Sequence, residues 1–233
     1  MRVCALACSI LLLAMLAGCA SDTTRQVPQL RREVGTNPNI VVMPLDVELA
    51  EMTAGGMREP NAEWTDAAHV NIRTALDQRA RAHNVRLVQF NPDGGTAEEQ
   101  KVSTEMVALH RAVGMAALTN YFLGPKLPNK DGKFDWSLGP QAAAIARAQG
   151  ADYALFLFVR DSYASAGRVA VIAVYALFGV GVPGGSQIGF ASLVDLKTGD
   201  IVWFNWLQRA SGDLRTPQAA AETVQALVLD SMK

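Results

Sequence analysis

The sequence predicts an α/β class: one domain of three or two layers, with a mixed sheet of about five strands flanked by helices. Three observations predict it. Short apolar runs rich in β-branched and aromatic residues alternate with longer stretches whose apolar residues recur every three or four positions. One run, residues 151–159 (ADYALFLFV), is apolar on both faces, which places it centrally in a sheet covered on both sides. Two later runs are joined by Lys197-Thr198-Gly199-Asp200, the turn chemistry of a β-hairpin. With 233 residues, 50% hydrophobic and 18% charged, the chain can bury one sizeable core.

Taken in order, Ile40-Val41-Val42-Met43 is a buried strand that ends near Pro44. Trp64, Ala68, Ile72, Ala75 and Leu76 then mark a helix from the N-cap Asn61 to about His83. Residues 85–90 are a second strand, closed by the turn Asn91-Pro92-Asp93-Gly94-Gly95. Val102, Met106, Leu109, Val113, Ala116 and Ala117 form an amphipathic stripe over 97–121, expected to cover the sheet. Residues 124–139 are rich in turn formers and irregular. An alanine-rich helix over 141–149, stopped by Gly150, leads into the central strand. Residues 188–196 and 201–207 make the hairpin, and a last helix starts at the N-cap Thr216 with Pro217 in its first turn and Ala220, Val224, Leu227 and Val228 on one face. The element order is β-α-β-α-α-β-insertion-β-β-α.

Ahead of this domain the chain has a targeting pattern. Arg2 is followed by an uncharged stretch to Ser21, and the next charge is Asp22. A short basic segment, an apolar stretch and then small residues define an export signal, assigned to residues 1–18. Leu16-Ala17-Gly18-Cys19 also resembles the lipobox of bacterial lipoproteins. That resemblance implies cleavage before Cys19, with acyl chains on its thiol and its new amine, and hence a membrane partner reached through lipid rather than a span. Several acyl chains together hold a protein where one holds it only marginally. Ala20 stands where an aspartate would act as a retention signal, which by the same resemblance implies the outer membrane, with the domain in the periplasm. Cys4 and Cys8 fall in the removed segment, so a cleaved and acylated chain has no free thiol for disulfides, catalysis or zinc. Residues 19–38 read as a polar tether with Pro28, Gly35 and Pro38, and 39–233 as the domain.

A second resemblance rests on two patches. Residues 144–156 (AIARAQGADYALF) and 191–203 (ASLVDLKTGDIVW) are similar to the helix-strand and hairpin signature of CsgG-like and TolB amino-terminal-domain-like envelope lipoproteins. The resemblance covers most of 39–231 in element order, and at sequence level these two patches carry it. It implies a non-enzymatic interaction or assembly module of a cell-envelope complex, with an envelope protein partner and a possible homo-oligomer. It also implies, as an alternative, a subunit of an oligomeric secretion channel. The family offers no common active site, so no catalytic residue carries over.

Composition and motifs bound the remaining possibilities. A formal charge of −1 and a pI near 6.3 leave no basic excess for phosphates, which disfavours nucleic acid as a partner. Gly179, Gly181 and Gly184 spell a G-x-G-x-x-G after an apolar run, with Asp200 near the expected acidic position. A dinucleotide fingerprint opens a helix, whereas residues 185–190 lead into a strand. Asn129-Lys130-Asp131-Gly132 with Asp135 is an incomplete calcium loop and reads as a solvated turn. His69, His83 and His110 lie far apart without HExxH spacing and read as surface or cap histidines. The chain has no G-x-S-x-G, S-x-x-K or Walker lysine to supply a hydrolase or nucleotide-binding enzyme, so no catalytic, cofactor or metal residue is assigned. Trp203, Phe204 and Trp206 are expected in the core, with an aromatic binding face as the other possibility.

The insertion, 166–186, is the least ordinary stretch. From Val169 to Gly185 it has no charged side chain, yet the apolar run is short for a bilayer span and ends in glycines and proline. It also lacks the alternation of a pore-forming strand. Val169, Val171, Ile172 and Val174 are compatible with helix or strand, and a short helix over 166–178 is the favoured reading, with the glycines as its exit. Its composition favours burial within the domain. The other fates are shallow membrane contact or an interaction surface formed by Val169, Val171, Ile172, Val174, Tyr175, Leu177 and Phe178.

Overall fold

The computed structural model describes residues 23–26, 38–210 and 212–228. Among these are eight strands, β1 (Thr23–Gln26), β2 (Ile40–Val42), β3 (Asp46–Met52), β4 (Arg58–Pro60), β5 (Leu87–Gln89), β6 (Tyr153–Ala164), β7 (Gly185–Asp195) and β8 (Ile201–Arg209). The helices are α1 (Ala62–Ala82), α2 (Ala97–Ala117), α3 (Ala143–Gln149), α4 (Ala166–Leu177) and α5 (Pro217–Val228). They build one mixed sheet in the order β1-β8-β7-β6-β2-β5, with β3 also on β6 and β4 on β3. The expected α/β class and the central place of residues 151–159 both hold.

β6 organises the rest because both its faces are apolar and must be covered. Leu155, Leu157 and Val159 face one core with Ala191, Leu193, Trp203 and Leu207, closed by Ile72 and Leu76 of α1 and Val224 and Leu227 of α5. Phe156 and Phe158 face the other with Phe190, Phe204 and Trp206, closed by Met106 of α2 and Ile145 of α3. The result is three layers, helices on both sides of a sheet. Trp203, Phe204 and Trp206 are all buried, so the hairpin aromatics are core. Each such side chain contributes about 1.5–3 kcal/mol by leaving water.

Three strands are additions to the expected five. β3 runs parallel beside residues 158–164 of β6, directly after β2 has paired with residues 153–155. Its Asp46, Glu48 and Glu51 mask the strand signal, although Val47 and Leu49 alternate with them toward the core. β4 is short, exposed and ends in Pro60, all features of an edge. β1 lies inside the expected tether and pairs antiparallel with β8, Thr23 opposite Gln208 and Gln26 opposite Asn205. The export signal, Cys19 and residues 27–37 lie outside the described residues.

Capping chemistry sets the helix starts as expected. The Asn61 side chain accepts from the Trp64 amide at 3.0 Å, and the Thr216 hydroxyl accepts from the Ala219 amide at 3.4 Å. Thr96 and Glu99 complete a reciprocal capping box on α2. Gly150 ends α3 with φ of 63°, the left-handed cap that favours glycine. Val102, Met106, Val113 and Ala117 of the expected stripe pack on the core, but the most buried line of α2 is shifted from it. Ser103, Met106, His110, Gly114 and Ala117 face the sheet, and Leu109 is exposed. Gly114 is the reason α2 can lie that way up: a Cβ there would fall 2.1 Å from the Phe190 ring. Beyond Ala117 the chain continues as one π-helical turn, Leu118–Leu123, instead of regular α-helix.

Candidate functional site: an apolar helix at one end of the sheet

β6 runs toward the end of the sheet at which α4 begins. Ser165 caps α4, its hydroxyl accepting from the Arg168 amide at 3.1 Å, and Phe178 and Gly179 (φ 73°) close it. Residues 166–177 are therefore helical, as expected. This segment supplies no strand pair of the kind a hairpin-built channel needs. The expected burial does not occur: none of the twelve residues is buried. The reason is placement, since β6 has ended and no second layer lies over the helix.

Val171 and Ile172 are half-buried, and Val169, Val174, Tyr175, Leu177 and Phe178 are exposed. Leu177 is 83% exposed and Phe178 77%. Met57, in the turn between β3 and β4, is exposed at the same end, as is Val180 just after α4. Arg168 fixes this arrangement to the domain. Its guanidinium donates to the Pro183 carbonyl at 3.0 and 3.1 Å and to the Ala54 carbonyl at 3.3 Å. Helix, exit loop and β3–β4 turn are thus held together by one cation whose donors go to backbone.

Near the end of β6, on the side covered by α1 and α5, lies a buried polar cluster. Asp161, 3% exposed, accepts from the Tyr163 hydroxyl and, at 2.8 Å, from the Gln187 amide. The Tyr163 hydroxyl accepts from the Leu214 amide at 2.8 Å, and the Thr223 hydroxyl donates to Gln187 at 3.2 Å. Burial pushes the Asp161 carboxyl above the ordinary carboxylate range, against its hydrogen bonds, and pushes the Tyr163 phenol up as well. Arg215 lies over the Tyr163 and Trp64 rings at 4.2 and 4.6 Å while pairing with Asp213 at 2.7 Å. These contacts bolt the segment before α5 onto the sheet. A perturbed acid in a closed cluster tied to backbone amides is a structural device.

His110 differs from its expected surface or cap role. It is buried between α2 and the sheet, stacked on Phe156 at 4.7 Å, with Nε2 2.8 Å from the Ser192 hydroxyl. Burial lowers its pKa to about 3, so it is neutral at physiological pH. Sequence spacing could not find this pair, 82 residues apart. His83 caps α1, and His69 lies 3.3 Å from the Val47 carbonyl. Among the described residues no group of three His, Cys, Asp or Glu could hold a metal ion. Lys130 pairs with Asp135 at 2.7 Å across the calcium-like turn, which puts an ammonium where a cation would sit. The G-x-G-x-x-G glycines form the exit from α4 into β7, as expected. An open depression lined by Arg147, Asp152, Asp195 and Lys197 lies at the opposite end of the sheet.

No family model matches this chain, and no curated protein matches it. Among solved structures it is similar to the PelC dodecamer from Paraburkholderia phytofirmans. That match has 14% identity and a TM-score of 0.37, over 88% of this chain and 98% of that one. A single-substitution variant of the same dodecamer gives a TM-score of 0.36. The LpoB C-terminal domain from Salmonella enterica matches at 17% identity and a TM-score of 0.29, over 76% of this chain and 85% of that one. Similarity at that level assigns neither family nor activity to this chain. No described helix is long and apolar enough to cross a membrane.

Proposed function

We propose that this chain is a lipid-anchored, non-enzymatic interaction or assembly module of the cell envelope. It is held at the outer membrane through Cys19, with its domain in the periplasm. The observation that carries the reading is α4: an apolar helix standing outside both cores, pinned by Arg168, with Leu177 and Phe178 almost fully exposed. Exposed apolar surface of this kind marks a contact site, since the solvated alternative is costly. The Leu16-Ala17-Gly18-Cys19 pattern supports the anchor, and the polar clusters that might suggest chemistry are instead spent inside the fold. α4 and its exit loop are the working surface.

The test uses the full-length protein in cells. Mass spectrometry of the amino-terminal peptide should find acylated Cys19, and Cys19→Ser should release the protein from the membrane fraction. A photo-crosslinking residue at Leu177 should give adducts, whereas one at Val70, 66% exposed on α1, should not. An unacylated Cys19, or a Leu177 probe as inert as the Val70 probe, would reject the reading.

A further inference from the structure

The register of the sheet fixes which way the anchor leaves the domain. Thr23 pairs with Gln208, Gln208 with Ile188, and Ile188 with Arg160, so Thr23 is level with Arg160 in the sheet. β1 runs antiparallel to β8, β8 antiparallel to β7, and β7 antiparallel to β6. β1 therefore runs opposite to β6, and the chain enters it from the end where β6 stops and α4 begins. Cys19 precedes Thr23 by four residues, a reach of at most about 14 Å. From Arg160 to the end of β6 at Ala164 is also four residues. The lipidation site and the exposed helix thus belong to the same end of the molecule.

Two further exposed apolar side chains, Met57 and Val180, are at that end, while Val70, Leu109, Met115 and Leu123 are exposed singly on α1, on α2 and on the π-helical turn after it. The β3–β4 turn with Met57 and the exit segment with Val180 are there, because Met52 is level with Ala164 and Gly185 with Tyr163. The opposite end carries the Lys197–Asp200 turn and the charged depression. The end bearing α4 is not a cationic one. Arg58 and Arg168 there are engaged with Ser186 and with backbone carbonyls, and Glu51 and Glu59 flank them. Its distinguishing property is apolar area.

We infer that α4 and its exit loop rest on the same lipid surface that holds the acylated Cys19, with Leu177 and Phe178 entering the acyl boundary. This deepens the proposed function and rests on its anchor. A tether that short leaves the end of the domain against the bilayer, and a helix with no charge between Val169 and Gly185 is the surface it presents there. Acyl chains fix the distance, and the helix fixes the orientation, so that the rest of the domain points away from the membrane. Because the contact is apolar, it should be insensitive to salt.

The full-length lipidated protein, reconstituted into vesicles of phosphatidylethanolamine and phosphatidylglycerol, tests this. Acylation is confirmed first by mass, and single Phe178→Cys and Val70→Cys variants are labelled with an environment-sensitive fluorophore. The dye at 178 should shift to the blue and be quenched several-fold more by spin-labelled acyl chains than the dye at 70, equally at low and high salt. A dye at 178 quenched by aqueous iodide as strongly as the one at 70 overturns both this inference and the contact-surface reading. A blue-shifted dye that lipid quenchers do not reach, with cross-links to a second copy or to another protein, overturns the lipid contact while keeping α4 as a protein-binding surface.

Discussion

At the scale of single residues the buried polar groups decide how the domain responds to its surroundings. His110 has a folded pKa of about 3 against an ordinary imidazole value near 6.5, so the folded state refuses a proton that the unfolded chain accepts. Stability is therefore complete above about pH 6.5 and falls as pH drops from there toward 3. The expected loss is about 2 kcal/mol between pH 7 and 5. Urea unfolding of the Cys19→Ser protein at the two pH values, compared with the same protein carrying His110→Gln, checks this: the variant should lose most of that difference. Tyr163→Phe removes a donor from the buried Asp161 carboxylate and the acceptor of the Leu214 amide. It should cost about 2 kcal/mol at pH 7 by the same measurement. A cost near zero would mean that the cluster does not hold the segment before α5.

At the scale of elements, α4 and β8 make a contrast that separates surface from core. Phe178 lies outside both cores and Phe204 is wholly buried between Phe122, Phe134 and Phe190. Phe178→Ser should change stability by less than about 0.5 kcal/mol, whereas Phe204→Ala should cost about 3–5 kcal/mol. Thermal or urea unfolding of the two variants distinguishes them directly, and a comparable loss at Phe178 would mean that α4 packs against the domain after all. α2 teaches a related lesson. Its apolar stripe was legible as a helix, but the face turned to the sheet was set by Gly114 and by the need to seat His110 on Phe156 and Ser192. Small and polar residues decided an orientation that the larger apolar ones left open.

At the scale of the whole molecule, β1 closes one edge of a sheet whose neighbouring strand is strongly apolar. Without it, β8 would present unpaired backbone groups beside Val202, Trp203, Phe204 and Trp206. A chain beginning at residue 28 should therefore associate with itself, while one beginning at residue 20, which keeps β1, should not. Size exclusion with light scattering over a range of concentrations reads this, and equal masses for the two chains would show that β1 is dispensable. Under the proposed anchoring at Cys19 the same strand would set the direction of the anchor, so edge protection and orientation would depend on one pairing.

The sequence by itself determined the class of fold, the order of its main elements and the hairpin turn, and favoured helix over strand for residues 166–177. Those features follow from local periodicity and capping chemistry, which neighbours along the chain carry. The residues around Cys19 are also where the proposed export signal and lipidation are read from. Only the tertiary structure decided that α4 lies outside the cores, since composition measures the benefit of burial and not whether a layer exists to provide it. It likewise decided the pairing of β1 and β3, whose polar residues carry little strand signal and whose partners lie more than a hundred residues away. The meeting of His110 with Ser192 is of the same kind: long-range register places it, and no local pattern records it.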